Sequence, residues 1–149
     1  MDALARLSFL VQDALAETAA DHDLSVVQTR LLGVLRDREP TMNALGRALG
    51  LDKSSISGLV DRAQRRGLVA RVASSVDRRA VHVSLTADGR LVAGRVESAF
   101  AERVAQLVAG LPERDRERLT RLAARVVDAD AQRRGLADPD ATYAHDRPD

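Results

Sequence analysis

The chain has 149 residues, 45% of them apolar, enough for one compact domain with a real interior or for two small lobes sharing a core. Lysine and arginine total 23 against 22 acidic residues, so the net charge of +1 says nothing for or against a polyanionic partner, and the distribution of charge must decide. There is no cysteine, which excludes disulfides, thiolate metal sites and thiol-based redox sensing. The first residues, MDALARLSFLVQDALAE, lack a basic leader and are interrupted by Arg6, Gln12 and Asp13, and no apolar run approaches membrane-spanning length. A soluble cytoplasmic protein with no membrane partner is expected.

The first segment spaces Leu4, Leu7, Phe9, Leu10, Val11 and Leu15 among polar residues, which predicts a helix with one broad apolar face ending near Asp21–Asp23. A second helix starts at Ser25, with Gln28 placed to close a capping box and Val27, Leu31, Leu32 and Leu35 as its buried face, and it should stop before Pro40. Thr41 can cap a third that buries Leu45, Ala48 and Leu49 and breaks at Gly50. Asp52 can cap a fourth with Ile56, Leu59, Val60 and Ala63 inside and Gly67 as a left-handed stop. Two short helices joined through a Gly-containing turn make a helix-turn-helix.

After Gly67 the period changes to two. Leu68, Val69 and Val72 fit one strand, and Val81, Val83 and Leu85, alternating with His82 and Ser84, fit another, so the pair forms a hairpin around SSVDRR. Thr86 can cap a long helix reaching about Ala109, with Leu91, Val92, Val96, Phe100, Val104, Leu107 and Val108 on its apolar side. Pro112 suits the first turn of a last helix with Leu119, Leu122, Val126 and Val127 facing inward. Residues 134–149 are polar and are expected to form a flexible tail.

Charge is unevenly placed. From Thr41 to Arg95 there are ten basic residues against four acidic ones, whereas the stretch after Gly135 carries four aspartates and one arginine. A basic middle on a helix-turn-helix is the electrostatic footprint of DNA binding. With Ile56, Leu59, Val60 and Ala63 inside, the fourth helix turns Lys53, Ser54, Ser55, Ser57, Gly58, Asp61, Arg62 and Arg65 outward. Small hydroxyl residues at its front would let it approach base edges in the major groove, and Arg62 and Arg65 would grip backbone or a guanine edge. At least one of Ser54 and Ser55 is expected to serve only in capping. At the hairpin tip, an arginine suits the narrow, electronegative minor groove, and Asp77 would hold the turn and orient an arginine through a bidentate pair.

The run LGRALGLDKSSISGLVDRAQRRGLV followed by DRRAVHVSLTADG closely resembles the MarR family of bacterial winged-helix transcription regulators. The family's wing signature, Asp-x-Arg and then Leu-Thr-x-x-Gly, falls on Asp77, Arg79, Leu85, Thr86 and Gly89. The resemblance implies a mainly α fold with a small β-wing: a winged helix-turn-helix lobe over 25–86, and a dimerisation lobe from helices in 1–22 and 87–133. It makes 1–133 a single domain. It implies Arg79 as the minor-groove contact, Asp77 as its anchor, the helix from Asp52 to Arg66 as the recognition helix, and Arg78 at the variable position as a second contact. A homodimer would set two recognition helices about 34 Å apart on a pseudo-palindromic operator. Repression is the family's usual mode, and activation also occurs. Its members commonly release DNA when a small ligand binds, often an aromatic carboxylate or a phenol. Only Phe9, Phe100 and Tyr143 are aromatic, so no stacking pocket is predicted here, and effector-binding residues stay unassigned.

Other functions fit less well. His22, His82 and His145 are scattered, and Asp21, His22 and Asp23 suit a cap and turn better than a zinc site, so neither metal nor cofactor is expected. Arg30 and Arg95 could meet an anion, but surface positions suit them better. No phosphate loop, His-Glu metal pair or nucleophile elbow occurs, and catalysis is not expected. The rivals are a winged helix that binds protein and a constitutive DNA binder without an effector.

Overall fold

The computed structural model describes residues 2–73 and 81–133. In chain order these form α1 (Ala3–Asp21), α2 (Val26–Leu35), α3 (Met42–Leu49), α4 (Lys53–Arg65), β1 (Val69–Ala73), β2 (Val81–Leu85), α5 (Ala87–Leu107) and α6 (Glu113–Arg133). The chain divides into two compact units, 1–107 and 108–149. The first contains α1 to α5, and the described part of the second is α6 with the turn before it.

Local capping chemistry sets the starts of α2 to α5. Ser25 accepts from the Gln28 N–H at 3.2 Å while the Gln28 side chain accepts from the Ser25 N–H at 2.9 Å, closing the expected capping box of α2. Thr41 accepts from the Ala44 N–H at 3.3 Å at the start of α3. Gly50 ends α3 at φ 66°, and Gly67 follows α4 at φ 72°, both in the left-handed region that glycine enters without a Cβ clash.

The core of the first unit gathers Leu31, Leu32 and Leu35 of α2, Leu45 of α3, the whole inner row of α4, Leu68, Val69, Val83 and Leu85 of the hairpin, and Ala93 and Val96 of α5. Each large side chain so buried contributes about 1.5–3 kcal/mol relative to exposure. Two expected positions differ. Ala48 is exposed and Leu49 half-buried, whereas Gly46 is buried. A Cβ at Gly46 would lie 3.1 Å from the Leu51 carbonyl oxygen, so the close approach of α3 to the following turn, rather than the helical period alone, selects the inner face.

The hairpin is antiparallel, with Val69 opposite Leu85, Arg71 opposite Val83 and Ala73 opposite Val81. Residues 39–41 add a short third edge that the period did not announce. The Val83 N–H donates to the Pro40 carbonyl at 3.0 Å, and Thr41 bridges to His82. His82 Nδ1 lies 2.7 Å from the Glu39 carbonyl, which puts the proton on that nitrogen. Ser84 is buried together with Val83 and Leu85, so strict alternation fails in β2.

Thr86 joins the hairpin to α5. Its hydroxyl donates to the Gly67 carbonyl at 2.6 Å and accepts from the Gly89 N–H at 2.9 Å, and its own N–H donates to the Leu68 carbonyl at 3.1 Å. Along α1 the buried residues are the small Ala14, Thr18 and Ala19, while Leu4, Phe9 and Leu10 are exposed. Arg103 of α5 fastens α1 by pairing with Asp21 at 2.6 Å and Glu17 at 3.3 Å. Leu91 and Leu107 of α5 are exposed. In α6, Leu122, Val126 and Val127 do not face inward: all three are exposed, and Leu119 is half-buried. Expectations for residues 134–149 lie outside the described residues.

Candidate nucleic-acid interface

The turn between α3 and α4 aims the latter. The Leu51 N–H donates to the Gly46 carbonyl at 2.9 Å, ending α3, and Asp52 then caps α4 by accepting from the Ser55 N–H at 2.7 Å. The same carboxylate accepts from the Ser54 hydroxyl at 2.8 Å and the Ser55 hydroxyl at 3.0 Å. Both serines therefore serve the cap, and their oxygens keep only acceptor capacity, which suits a base amino group and not a phosphate oxygen. These bonds, the Ser55 N–H first, hold the Asp52 carboxyl below its ordinary pKa.

A carboxyl whose folded pKa is depressed stabilises the fold above its unfolded value, and that contribution is lost as pH falls through the folded value. Asp52→Asn should therefore be less stable than the parent at neutral pH, and the gap should shrink in acid. Thermal unfolding of both proteins across that range checks this, and a gap independent of pH would refute the capping role of the charge.

Beyond the cap, Lys53, Arg62 and Arg65 are exposed, and Ser57 and Gly58 are half-buried. A Cβ at Gly58 would sit 3.3 Å from an Arg62 Nη, so the glycine lets the arginine lie back along the helix. Arg62, Gly58, Ser54 and Ser55 border an open groove of about 290 Å³ floored by Val27, Leu51 and Leu59. Arg47 and Lys53 border a second hollow of about 270 Å³ beside the turn. The expected outward set is thus gathered on one helix, small in front and cationic behind.

Not every cation counted in the sequence faces solvent freely. Arg66 turns back to donate to the Asp23 carbonyl at 2.7 Å. Asp23 itself adopts φ 54°, and Asp21 is held by Arg103, so this acidic turn has a structural task. Arg71 pairs with Asp61 at 2.6 Å, which removes the one acidic residue of α4 as a repulsive charge. Sequence reading missed this pair, because residues ten apart across a helix and a strand follow no period. Asp77, Arg78 and Arg79 lie outside the described residues. Among the described residues no group of three His, Asp or Glu side chains could hold a metal ion, and no helix is long and apolar enough to cross a membrane.

A helix-turn-helix followed by a two-stranded wing, with a basic, small-residue face on its second helix, defines a winged helix-turn-helix protein. The MarR family model matches residues 22–80. The HTH-type transcriptional regulator PecS of Dickeya dadantii (strain 3937) is 27% identical over 127 residues, covering 83% of this chain and 76% of that protein. A mutant of S. aureus MepR bound to an oligodeoxyribonucleotide superposes with a TM-score of 0.61 at 22% identity, over 85% of this chain and 94% of that one. CouR from Rhodococcus jostii RHA1, bound to p-coumaroyl-CoA, gives a TM-score of 0.67 at 25% identity, over 83% and 87%. Residues 22–80 are thus similar to the MarR family, and the chain shares its fold with the solved structures just described.

Proposed function

We propose that this chain acts in the cytoplasm as a homodimeric repressor that binds a pseudo-palindromic operator, with α4 in the major groove and the wing arginine in the adjacent minor groove. The observation that carries this reading is the solvent face of α4. Lys53, Arg62 and Arg65 flank small residues there, and Asp61 is neutralised by Arg71. A front of Ser54, Ser55 and Ser57 leaves room for base edges. Arg78 and Arg79 extend the contact from the wing, with Asp77 orienting Arg79.

In this reading 25–86 is the DNA-binding part of one domain spanning 1–133, and the helices within 1–22 and 87–133 associate with a second copy. Exposed Leu4, Phe9 and Leu10 on α1, and Leu122, Val126 and Val127 on α6, support it. Apolar faces of this kind on a monomeric protein mark association surfaces. An aromatic or phenolic anion is the proposed effector, a class supported by the p-coumaroyl-CoA bound to CouR. MarR-family regulators are generally non-enzymatic transcription factors, and no catalytic role is assigned.

Arg79→Ala tests the wing. It should weaken operator binding by about 1–3 kcal/mol while thermal unfolding and sedimentation mass stay those of the parent. Unchanged affinity at near-physiological salt would remove the wing from the interface.

A further inference from the structure

Arg71 lies midway along β1, opposite Val83, which is fully buried. One of its Nη groups donates to Gln64 Oε1 at 2.6 Å and the other to Asp61 Oδ1 at 2.6 Å. Asp61 and Gln64 are three residues apart on α4, so they share a face and one planar guanidinium meets both acceptors. They alternate along the helix with Arg62 and Arg65, the cations aimed at DNA in the reading above.

The covalent path from α4 to β1 runs through Gly67, at φ 72°, and is tied down near that turn by Thr86. Among the described residues, the Arg71 clamp is the side-chain hydrogen bonding that joins β1 to α4 beyond that turn. An arginine so engaged adds little free charge for phosphate. Its geometric effect is larger, because a wing stem pivoting at Gly67 would displace its tip relative to the helix.

We propose that Arg71, clamped by Asp61 and Gln64, is a positioning residue that fixes the wing stem against the recognition helix so that both meet adjacent grooves as one rigid body. This rests on the DNA-binding reading above, and it assigns Asp61 a role opposite in sign to its charge. Simple electrostatics predicts that removing a carboxylate from a DNA-facing helix tightens binding. The clamp predicts the reverse.

Asp61→Asn should weaken specific DNA binding about fivefold, the size of roughly 1 kcal/mol and the upper range for one exposed ion pair. Amide exchange in residues 69–73 and 81–85 of the free protein should quicken at unchanged melting temperature. The charge swap Asp61→Arg with Arg71→Asp keeps the net charge and should restore both protection and affinity. Arg71→Lys, which cannot span both acceptors, should recover only part. Tighter or unchanged binding by Asp61→Asn overturns the proposal. So does a swap that restores protection without affinity, because Arg71 would then act on DNA directly. Parent protein lacking salt-steep specific binding would instead overturn the DNA-binding reading, while the exchange data judge the clamp separately.

Discussion

Gly89→Ala is expected to destabilise the protein by about 3 kcal/mol, lowering its melting temperature by roughly 10 °C. A Cβ built at Gly89 falls 1.9 Å from the Leu68 carbonyl oxygen and 2.9 Å from its carbon, and both are backbone atoms that no rotamer change can move. Relief requires α5 to withdraw from the turn after α4. That motion strains the Thr86 N–H bond to the Leu68 carbonyl and the Thr86 hydroxyl bond to Gly67, and it opens a seam beside the buried Leu85. The Leu-Thr-x-x-Gly pattern thus has a mechanical content: Leu85 fills the core, Thr86 locks the wing's return strand to the end of α4, and Gly89 lets the helix pass. Differential scanning calorimetry of the two proteins checks it, and a melting temperature indistinguishable from the parent would show that the close approach is not stabilising.

The second large effect is expected at Arg62. Arg62→Ala should weaken operator binding by about 1–3 kcal/mol, and the manner of the loss identifies the contact. Reduced discrimination at one base pair would make Arg62 a base reader. A uniform loss, with the salt slope shallower by about one, would make it a phosphate contact. Arg65→Ala, three residues on along the same face of α4, should weaken binding too and is scored by the same two signatures. Arg66→Ala serves as the internal control. Its guanidinium is bonded to the Asp23 carbonyl, so its removal should change DNA affinity little. Fluorescence anisotropy with operator and single-base variants distinguishes these outcomes, and equal losses for Arg62→Ala and Arg66→Ala would mean that the basic region acts only as a diffuse field.

The features legible in the sequence were those set by local chemistry. Ser25 with Gln28, Thr41, Asp52 and Thr86 act on N–H groups three residues away, so each cap could be read from spacing and each is found in place. The inner row of α4 was equally plain, because Ile56, Leu59, Val60 and Ala63 keep helical spacing and are all buried. What escaped depends on which body covers a face. In an eight-residue helix the period fixes orientation weakly, and the approach of Leu51 to Gly46 turned α3 away from Ala48. The apolar side of α6 is exposed in the single chain, since periodicity reports that a face is greasy and not what meets it. Ser84 is buried although alternation turns it outward, and the pairing of residues 39–41 with β2 has no period of its own.

The site was read in part. Lys53, Ser54, Ser55, Ser57, Arg62 and Arg65 do share α4, and Asp61 and Arg71 were counted as independent charges although they bind each other. A tally of formal charge cannot see that one guanidinium is occupied by a carboxylate and another by a carbonyl. Asp77, Arg78 and Arg79 lie outside the described residues, and the wing roles proposed for them are tested by the Arg79→Ala comparison.

The most direct test of the account is a titration of the purified protein against labelled DNA from upstream of its own gene, with unrelated DNA as competitor and salt as the variable. Specific binding by a dimer through several arginines predicts competitor-resistant affinity that falls steeply and linearly in log salt. Affinity that varies little with salt, or that is no greater for any DNA selected from a random pool than for competitor, would contradict it and favour a winged helix that binds protein.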